Sequence, residues 1–222
     1  MAAGDFPRLY AIIDSGCFAR EANATAAIAG FAQALLAGGA TLLQYRNKCG
    51  SAREILSHAR ELRRVCLSQL QGQTGSAAGA PVRLIMNDRA DLCLAADFAG
   101  VHVGQEDLSP AAVRQIVGDT RWIGVSTHNP EQVREAEPWA IDYVAVGPVF
   151  ATASKANPDP VIGLEGVRTA RRLTGKPLVA IGGITRENCR SVIDAGADSV
   201  AVIADLLHNP REAAEEFLRR LY

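Results

Sequence analysis

Residues 178–203 read LVAIGGITRENCRSVIDAGADSVAVI, and the fold is decided there. The stretch opens on an unbroken apolar run, Leu178-Val179-Ala180-Ile181, and breaks at Gly182-Gly183. It restarts at Thr185 ahead of a helical pattern over 186–194, which closes with Ala195-Gly196 before a second apolar run over 199–203. Apolar runs without alternation belong to strands covered on both faces, as in a parallel sheet. A threonine before the helix and a glycine after it are the start and stop signals of a crossover between two such strands.

The same unit recurs along the chain. Strands are predicted at 9–13, 41–45, 84–86, 100–103, 122–125 and 143–146, besides 178–181 and 199–203, and Ser109-Pro110 opens a helix over 111–117 that closes at Gly118. Eight strand–helix units in 222 residues leave about 28 residues each, the size of a compact (β/α)8 barrel. An open doubly wound sheet would carry G-x-G-x-x-G after its first strand. Here that strand runs into Asp14-Ser15-Gly16-Cys17-Phe18, which does not match. With no break in composition, residues 1–222 are expected to form a single α/β domain, a TIM barrel, with 71–80 (QGQTGSAAGA) as a flexible insert.

Composition excludes several classes. Hydrophobic residues at 48% and charged residues at 21% rule out intrinsic disorder. Lysine plus arginine, 23, balances aspartate plus glutamate, 24, which gives no support for nucleic-acid or membrane-surface binding. Cys17, Cys49, Cys66, Cys93 and Cys189 are odd in number and contain no C-x-x-C pair, so neither a zinc site nor a disulfide framework is expected. The N-terminus MAAGDFPRLY lacks the apolar core of a secretory signal, and 24–43 suits a buried helix followed by a strand better than a bilayer span. A cytoplasmic location follows as the expectation.

Chemistry in such a barrel collects at the C-terminal ends of the strands. After strand 2 come Gln44-Tyr45-Arg46-Asn47-Lys48, where alternation places Gln44, Arg46 and Lys48 on one side as an anion site or a solvated strand end. Asp88 in Asn87-Asp88-Arg89 and Asp107 in Gly104-Gln105-Glu106-Asp107 follow adjacent strands. Two carboxylates beside cations suit magnesium with phosphate co-ligands; alternatively Asp88 caps a helix and Asp107 makes an Asx turn.

Ser126-Thr127-His128 read as pocket residues or as helix caps, with no G-x-S-x-G elbow around Ser126. His102 is a hydrogen-bonded core residue or a ligand contact, and His58 and His208 read as helix-surface positions. The loop after strand 6 reads as a phosphate-binding element with Thr152, Ser154 and Lys155 or as a plain surface loop, and Gly183 with the end of strand 8 reads as the usual phosphate cradle or as a turn glycine. Two anion sites in one mouth suggest two phosphorylated substrates, one of which loses pyrophosphate.

These motifs resemble the thiamine phosphate synthase (thiamine-phosphate pyrophosphorylase) family. The matching stretches are QYRNK at 44–48, Asn87-Asp88-Arg89, GVHVGQED at 100–107, GVSTH at 124–128, GPVFATASK at 147–155 and AIGGI at 180–184. The resemblance implies a transferase that joins an aminopyrimidine methyl diphosphate to a thiazole ethyl phosphate, releasing pyrophosphate. It implies that Gln44, Tyr45, Arg46, Asn47, Lys48, Asn87, Ser126 and Lys155 hold the pyrimidine diphosphate, with Lys155, Arg46, Lys48 and Ser126 catalytic. Asp88 and Asp107 would bind Mg2+, and Thr152, Ala153, Ser154, Gly183, Ile203 and Ala204 would contact the thiazole phosphate. Ser154 stands where threonine is usual and keeps the hydroxyl; Ala204 stands where serine is usual and keeps only the backbone N–H. The alternatives are a thiazole tautomerase, with His128 or His102 as acid–base group, and a non-catalytic sensor of phosphorylated thiazole. Partners are expected to be small-molecule substrates, and the oligomeric state, a homo-oligomer included, is left open.

Overall fold

A computed structural model describes residues 6–72, 81–152 and 159–222. Eight parallel strands close on themselves in sequence order: β1 (Leu9–Asp14), β2 (Leu42–Arg46), β3 (Arg83–Asn87), β4 (Gly100–Val103), β5 (Trp122–Thr127), β6 (Tyr143–Val146), β7 (Leu178–Ile181) and β8 (Ser199–Val202). Pairing of Leu9 with Val200 and Ala11 with Val202 seals the ring between β1 and β8. The outer layer is α1 (Ala24–Ala37), α2 (Ala52–Gly72), α3 (Ala90–Ala95), α4 (Pro110–Val117), α5 (Pro130–Ala136), α6 (Gly163–Leu173), α7 (Cys189–Asp194) and α8 (Pro210–Leu221).

The unalternating runs have their reason in two cores. One lies between the strands and the helices; the other fills the barrel with Phe6, Tyr10, Ile12, Leu42, Ile85, Trp122, Tyr143, Ala145, Val179 and Ala201. Every strand therefore buries both faces. Phe6 plugs the N-terminal end, its ring stacked 5.3 Å from Trp122. That end is also stitched by aspartates that precede strands: Asp97 takes Arg63 and Arg121, Asp142 takes Arg114, and Asp198 takes Arg171.

Expected helix boundaries shift in places. Ser109 caps α4 by accepting the Ala112 N–H, as its sequence signals. The pattern over 186–194 becomes a helix only from Cys189, because the Arg186 N–H and guanidinium are tied to Asp205 and Asn188 Oδ1 accepts the Thr185 N–H. Helix α2 takes in Gln71 and Gly72 of the expected insert, and 73–80 lie outside the described residues. Among the described residues no helix is long and apolar enough to cross a membrane.

Candidate active site

The C-terminal ends of β1 to β5 converge on a polar mouth. Inward alternation along β2 buries Gln44 and lifts Arg46 to the rim, where it pairs with Asp14 at the end of β1. Lys48 reaches across to Asp88, Nζ to Oδ2 2.5 Å. Asp14 was not singled out by the sequence; its position directly after the first strand is the signal that would have found it.

Asp88 does not cap α3. Arg89 occupies that position without a side-chain bond, and Asp88 sits at φ +61°, a left-handed conformation costly for a residue other than glycine. Asp107 makes the anticipated turn, its Oδ2 accepting the Gly104 N–H at 2.8 Å, and it also neighbours Asp88. Burial raises the Asp88 carboxyl above its ordinary value, the Lys48 ammonium opposes this, and the Asp107 carboxylate adds to the rise. Beside them Asn87 Nδ2 is buried and has no hydrogen-bond partner, a donor held ready for an acceptor.

Five polar side chains form a chain across the barrel below this rim. Gln44 Nε2 donates to the Tyr10 hydroxyl at 2.7 Å, and the Tyr10 and Tyr143 hydroxyls are 2.8 Å apart. Tyr143 meets His102 Nδ1 at 3.1 Å, and His102 Nε2 meets Ser126 Oγ at 2.9 Å. Gly124 makes room: a Cβ there would stand 2.0 Å from Tyr143 Cζ. Burial lowers His102 to about 4 and raises both tyrosines, so the chain is neutral. His102 is thus the hydrogen-bonded core histidine of the two readings. Gln105 Nε2 donates to the Ser126 carbonyl at 2.5 Å and steadies the end of β5.

Several expected residues lie elsewhere. Tyr45 faces the helical layer, fully buried, its hydroxyl bonded to His58 Nδ1 at 2.7 Å and to Asn47 Nδ2 at 3.1 Å. Asn47 Oδ1 accepts the N–H groups of Cys49 and Gly50, holding the turn after β2. These two side chains are therefore not in the mouth, since strand alternation carries them to the other face. His58 is buried against Tyr45 and is not a surface residue; His208 is exposed, but in the bend before α8 and not on a helix. Thr127 and His128 are not caps either: Asn129 caps α5, and the Thr127 hydroxyl donates to the Ala145 carbonyl. His128 Nδ1 lies 2.8 Å from the Gly147 carbonyl and 3.5 Å from Asp159, joining the loop after β6 to β5.

On the far side of the mouth, Gly183 takes φ +63°, and a Cβ would meet the Ala151 carbonyl oxygen at 2.5 Å. Only glycine lets the loops after β6 and β7 approach this closely. Arg186 grips the Asp205 carboxylate with Nε and Nη2, each at 3.0 Å, and so links the loop after β7 to the 3-10 turn Ala204–Leu206. Ile203 falls just beyond β8 and is partly buried, while Ala204 is exposed. Thr152 is partly buried; Ala153, Ser154 and Lys155 lie outside the described residues.

Residues 9–206, from the first strand through the turn after the last, match the family described as Thiamine monophosphate synthase. The chain belongs to the thiamine monophosphate synthase family. It is 61% identical over 223 residues, the full length of both chains, to a protein of Koribacter versatilis named thiamine-phosphate synthase. A thiamine-phosphate synthase of Chloroflexus aurantiacus is 41% identical over 89% of this chain and 83% of its own. Among solved structures, a thiamine phosphate pyrophosphorylase from Pyrococcus furiosus superposes with a TM-score of 0.79 at 31% identity, covering 96% of this chain and 95% of that one. The thiamine monophosphate synthase family and the closed eight-stranded barrel thus agree with the expectations drawn from 44–48, 100–107 and 180–184.

Proposed function

We propose that the chain joins 4-amino-2-methyl-5-hydroxymethylpyrimidine diphosphate to thiazole ethyl phosphate, giving thiamine phosphate and pyrophosphate in thiamine biosynthesis. The observation that carries this reading is the unpartnered, buried Asn87 amide beside the Arg46–Asp14 and Lys48–Asp88 pairs, in a chain of this family.

Charge in the mouth points to a metal. Among the described residues of the rim, Arg46 and Lys48 face Asp14, Asp88 and Asp107, and even with Lys155 added the cations only balance these carboxylates, leaving the charge of a diphosphate to be met. Two neighbouring carboxylates are what magnesium ordinarily takes from a protein, with water and phosphate oxygens completing its shell. Asp88 and Asp107 would hold the ion, which supplies positive charge against the diphosphate oxygens. Lys48, drawn off Asp88, then joins Arg46 and the Asn87 amide in binding those oxygens.

The reaction needs no protein nucleophile. The methylene C–O bond ionises with its electron pair leaving on pyrophosphate, and the electron-rich aminopyrimidine delocalises the resulting cation. The thiazole nitrogen then donates its lone pair to the methylene carbon. Arg46, Lys48, Ser126 and, from the loop after β6, Lys155 stabilise the charge that builds on the leaving oxygen, the interaction that grows as the bond breaks. Gly183, Ile203 and Ala204 offer backbone N–H groups to the thiazole phosphate, with Thr152 and Ser154 adding hydroxyls. Five free cysteines, Cys66, Cys93 and Cys189 of them buried, suit work in the cytoplasm.

The deciding experiment measures pyrophosphate and thiamine phosphate with both substrates and magnesium, omitting each in turn. Equal release of the two products that needs both substrates and the metal is expected. Tight thiazole phosphate binding with no pyrophosphate formed would transfer the chain to the tautomerase or sensor readings.

A further inference from the structure

Hydrogen bonds between hydroxyls and a neutral imidazole have a direction, and one end of the chain inside the barrel fixes it. An amide nitrogen only donates, so the Tyr10 oxygen accepts from Gln44 Nε2. Tyr10 has one proton to give, and among the described residues its remaining partner is the Tyr143 hydroxyl at 2.8 Å, so a buried Tyr10 proton is satisfied only if the bond runs from Tyr10 to Tyr143. The Tyr143 proton then passes to His102 Nδ1 at 3.1 Å, which must offer a bare lone pair. A neutral ring with a bare Nδ1 carries its proton on Nε2, and that proton goes to Ser126 Oγ at 2.9 Å. The Ser126 oxygen is thereby occupied as an acceptor, and its own proton is left to point elsewhere. Ser126 is partly exposed at the mouth, whereas Tyr10, Tyr143, His102 and Gln44 are buried away from competing water.

We infer that Gln44, Tyr10, Tyr143 and His102 act as a one-way positioning relay that fixes the His102 tautomer and turns the Ser126 hydroxyl proton outward, making Ser126 a committed donor to the pyrimidine diphosphate. The relay rests on the synthase reading for its substrate, though not for its direction. Packing holds it in register. The His102 and Tyr143 rings stack 5.6 Å apart at 21°, Tyr10 meets Tyr143 edge-on, and Gly124 leaves space for the Tyr143 ring. The gain is preorganisation: a hydroxyl whose proton already points at the substrate needs no reorientation as charge develops on the leaving group. A serine with an unbonded oxygen would instead turn freely between donor and acceptor.

Two measurements test the relay. In the full-length protein labelled with 15N-histidine, His102 is assigned by the signal lost in His102→Gln, and its tautomer is read from long-range 1H–15N couplings. Protonated Nε2 and bare Nδ1 are expected; the opposite tautomer overturns the inference, because it requires the chain to run from Ser126 toward Gln44. Tyr143→Phe keeps the ring and removes the donor to Nδ1, and Tyr10→Phe interrupts the chain one step earlier should the first variant not fold. Either is expected to let the tautomer mix and to lower kcat about tenfold, the worth of a well-placed hydrogen bond, with KM for thiazole phosphate unchanged. In a Ser126→Ala background the same substitution should cost nothing further; an equal loss there would make the network packing only and overturn the relay. A wild-type protein without turnover would remove the synthase reading, while the tautomer would still decide the direction.

Discussion

Lys48 Nζ lies 2.5 Å from Asp88 Oδ2, a contact made between a lysine just beyond β2 and an aspartate held in a left-handed turn just beyond β3. The lysine occupies the carboxylate that the proposed metal would take. A magnesium ion held by Asp88 and Asp107 would leave Lys48 free for the diphosphate; loss of Asp107 would weaken that site and leave Lys48 on Asp88, whereas loss of Asp88 would free Lys48 but remove a metal ligand. Asp88→Ala and Asp107→Ala should each lower kcat/KM by about a hundredfold at low magnesium, and raising magnesium should recover part of the loss. A magnesium titration of initial rates checks this, and near-normal activity in both variants at low magnesium would remove the metal assignment.

Tyr45 stands next to Gln44 in sequence and on the other side of the sheet in space. Its hydroxyl satisfies His58 Nδ1 in the layer between strands and helices. Tyr45→Phe leaves that buried nitrogen without its partner, which should cost about 1–2 kcal/mol in urea unfolding. Steady-state kinetics should show kcat and both KM values unchanged; a rise in KM for the pyrimidine diphosphate would return Tyr45 to the substrate site.

The contrast between Tyr45 and Gln44 shows what the sequence discloses. Strands were legible because both faces are buried, so runs such as 143–146 and 178–181 carry no polar interruption, and the rim residues Arg46, Lys48, Asp88 and Asp107 were legible because they follow such runs. Alternation shows Gln44 and Arg46 facing inward and Tyr45 and Asn47 facing outward, whereas the QYRNK motif, read as a unit, does not separate the two faces. The relay was not legible at all. Tyr10 and Tyr143 are 133 residues apart, and only closure of the barrel brings their hydroxyls together. Each alone reads as an aromatic core residue. Asp14 does not stand out in the sequence, because its partner Arg46 is 32 residues away and meets it only when β1 and β2 pair.

His102 also sets a pH dependence. Its burial lowers it to about 4, against an ordinary value near 6.5 in the unfolded chain. Below pH 6.5 the unfolded state binds the proton and the folded state does not, so stability falls with falling pH until the folded group itself titrates near 4. A shift of that size corresponds to about 3 kcal/mol lost across the window. His58, also lowered by burial, adds to the loss in the same direction. Urea midpoints of wild type and His102→Gln between pH 7 and 4, a range set by these values, should converge as pH falls. Parallel curves would show that His102 is not the group responsible.

Gly124 is the narrowest point of the relay's surroundings. A Cβ at this position would lie 2.0 Å from Tyr143 Cζ and 2.3 Å from its hydroxyl oxygen, far inside contact distance. The Tyr143 ring has nowhere to retreat, because Phe6, Tyr10 and His102 pack around it. Gly124→Ala should therefore destabilise the fold by about 3 kcal/mol, the upper end of what overpacking costs, and should lower kcat by moving Tyr143 off His102 Nδ1. Trimming the ring in Gly124→Ala/Tyr143→Leu should restore much of the stability and none of the activity, since the leucine fits the space but has no hydroxyl to hold the tautomer. Urea unfolding and kcat measured on the wild type and both variants separate the two effects. Recovery of activity along with stability would show that the hydroxyl of Tyr143 has no part in positioning Ser126.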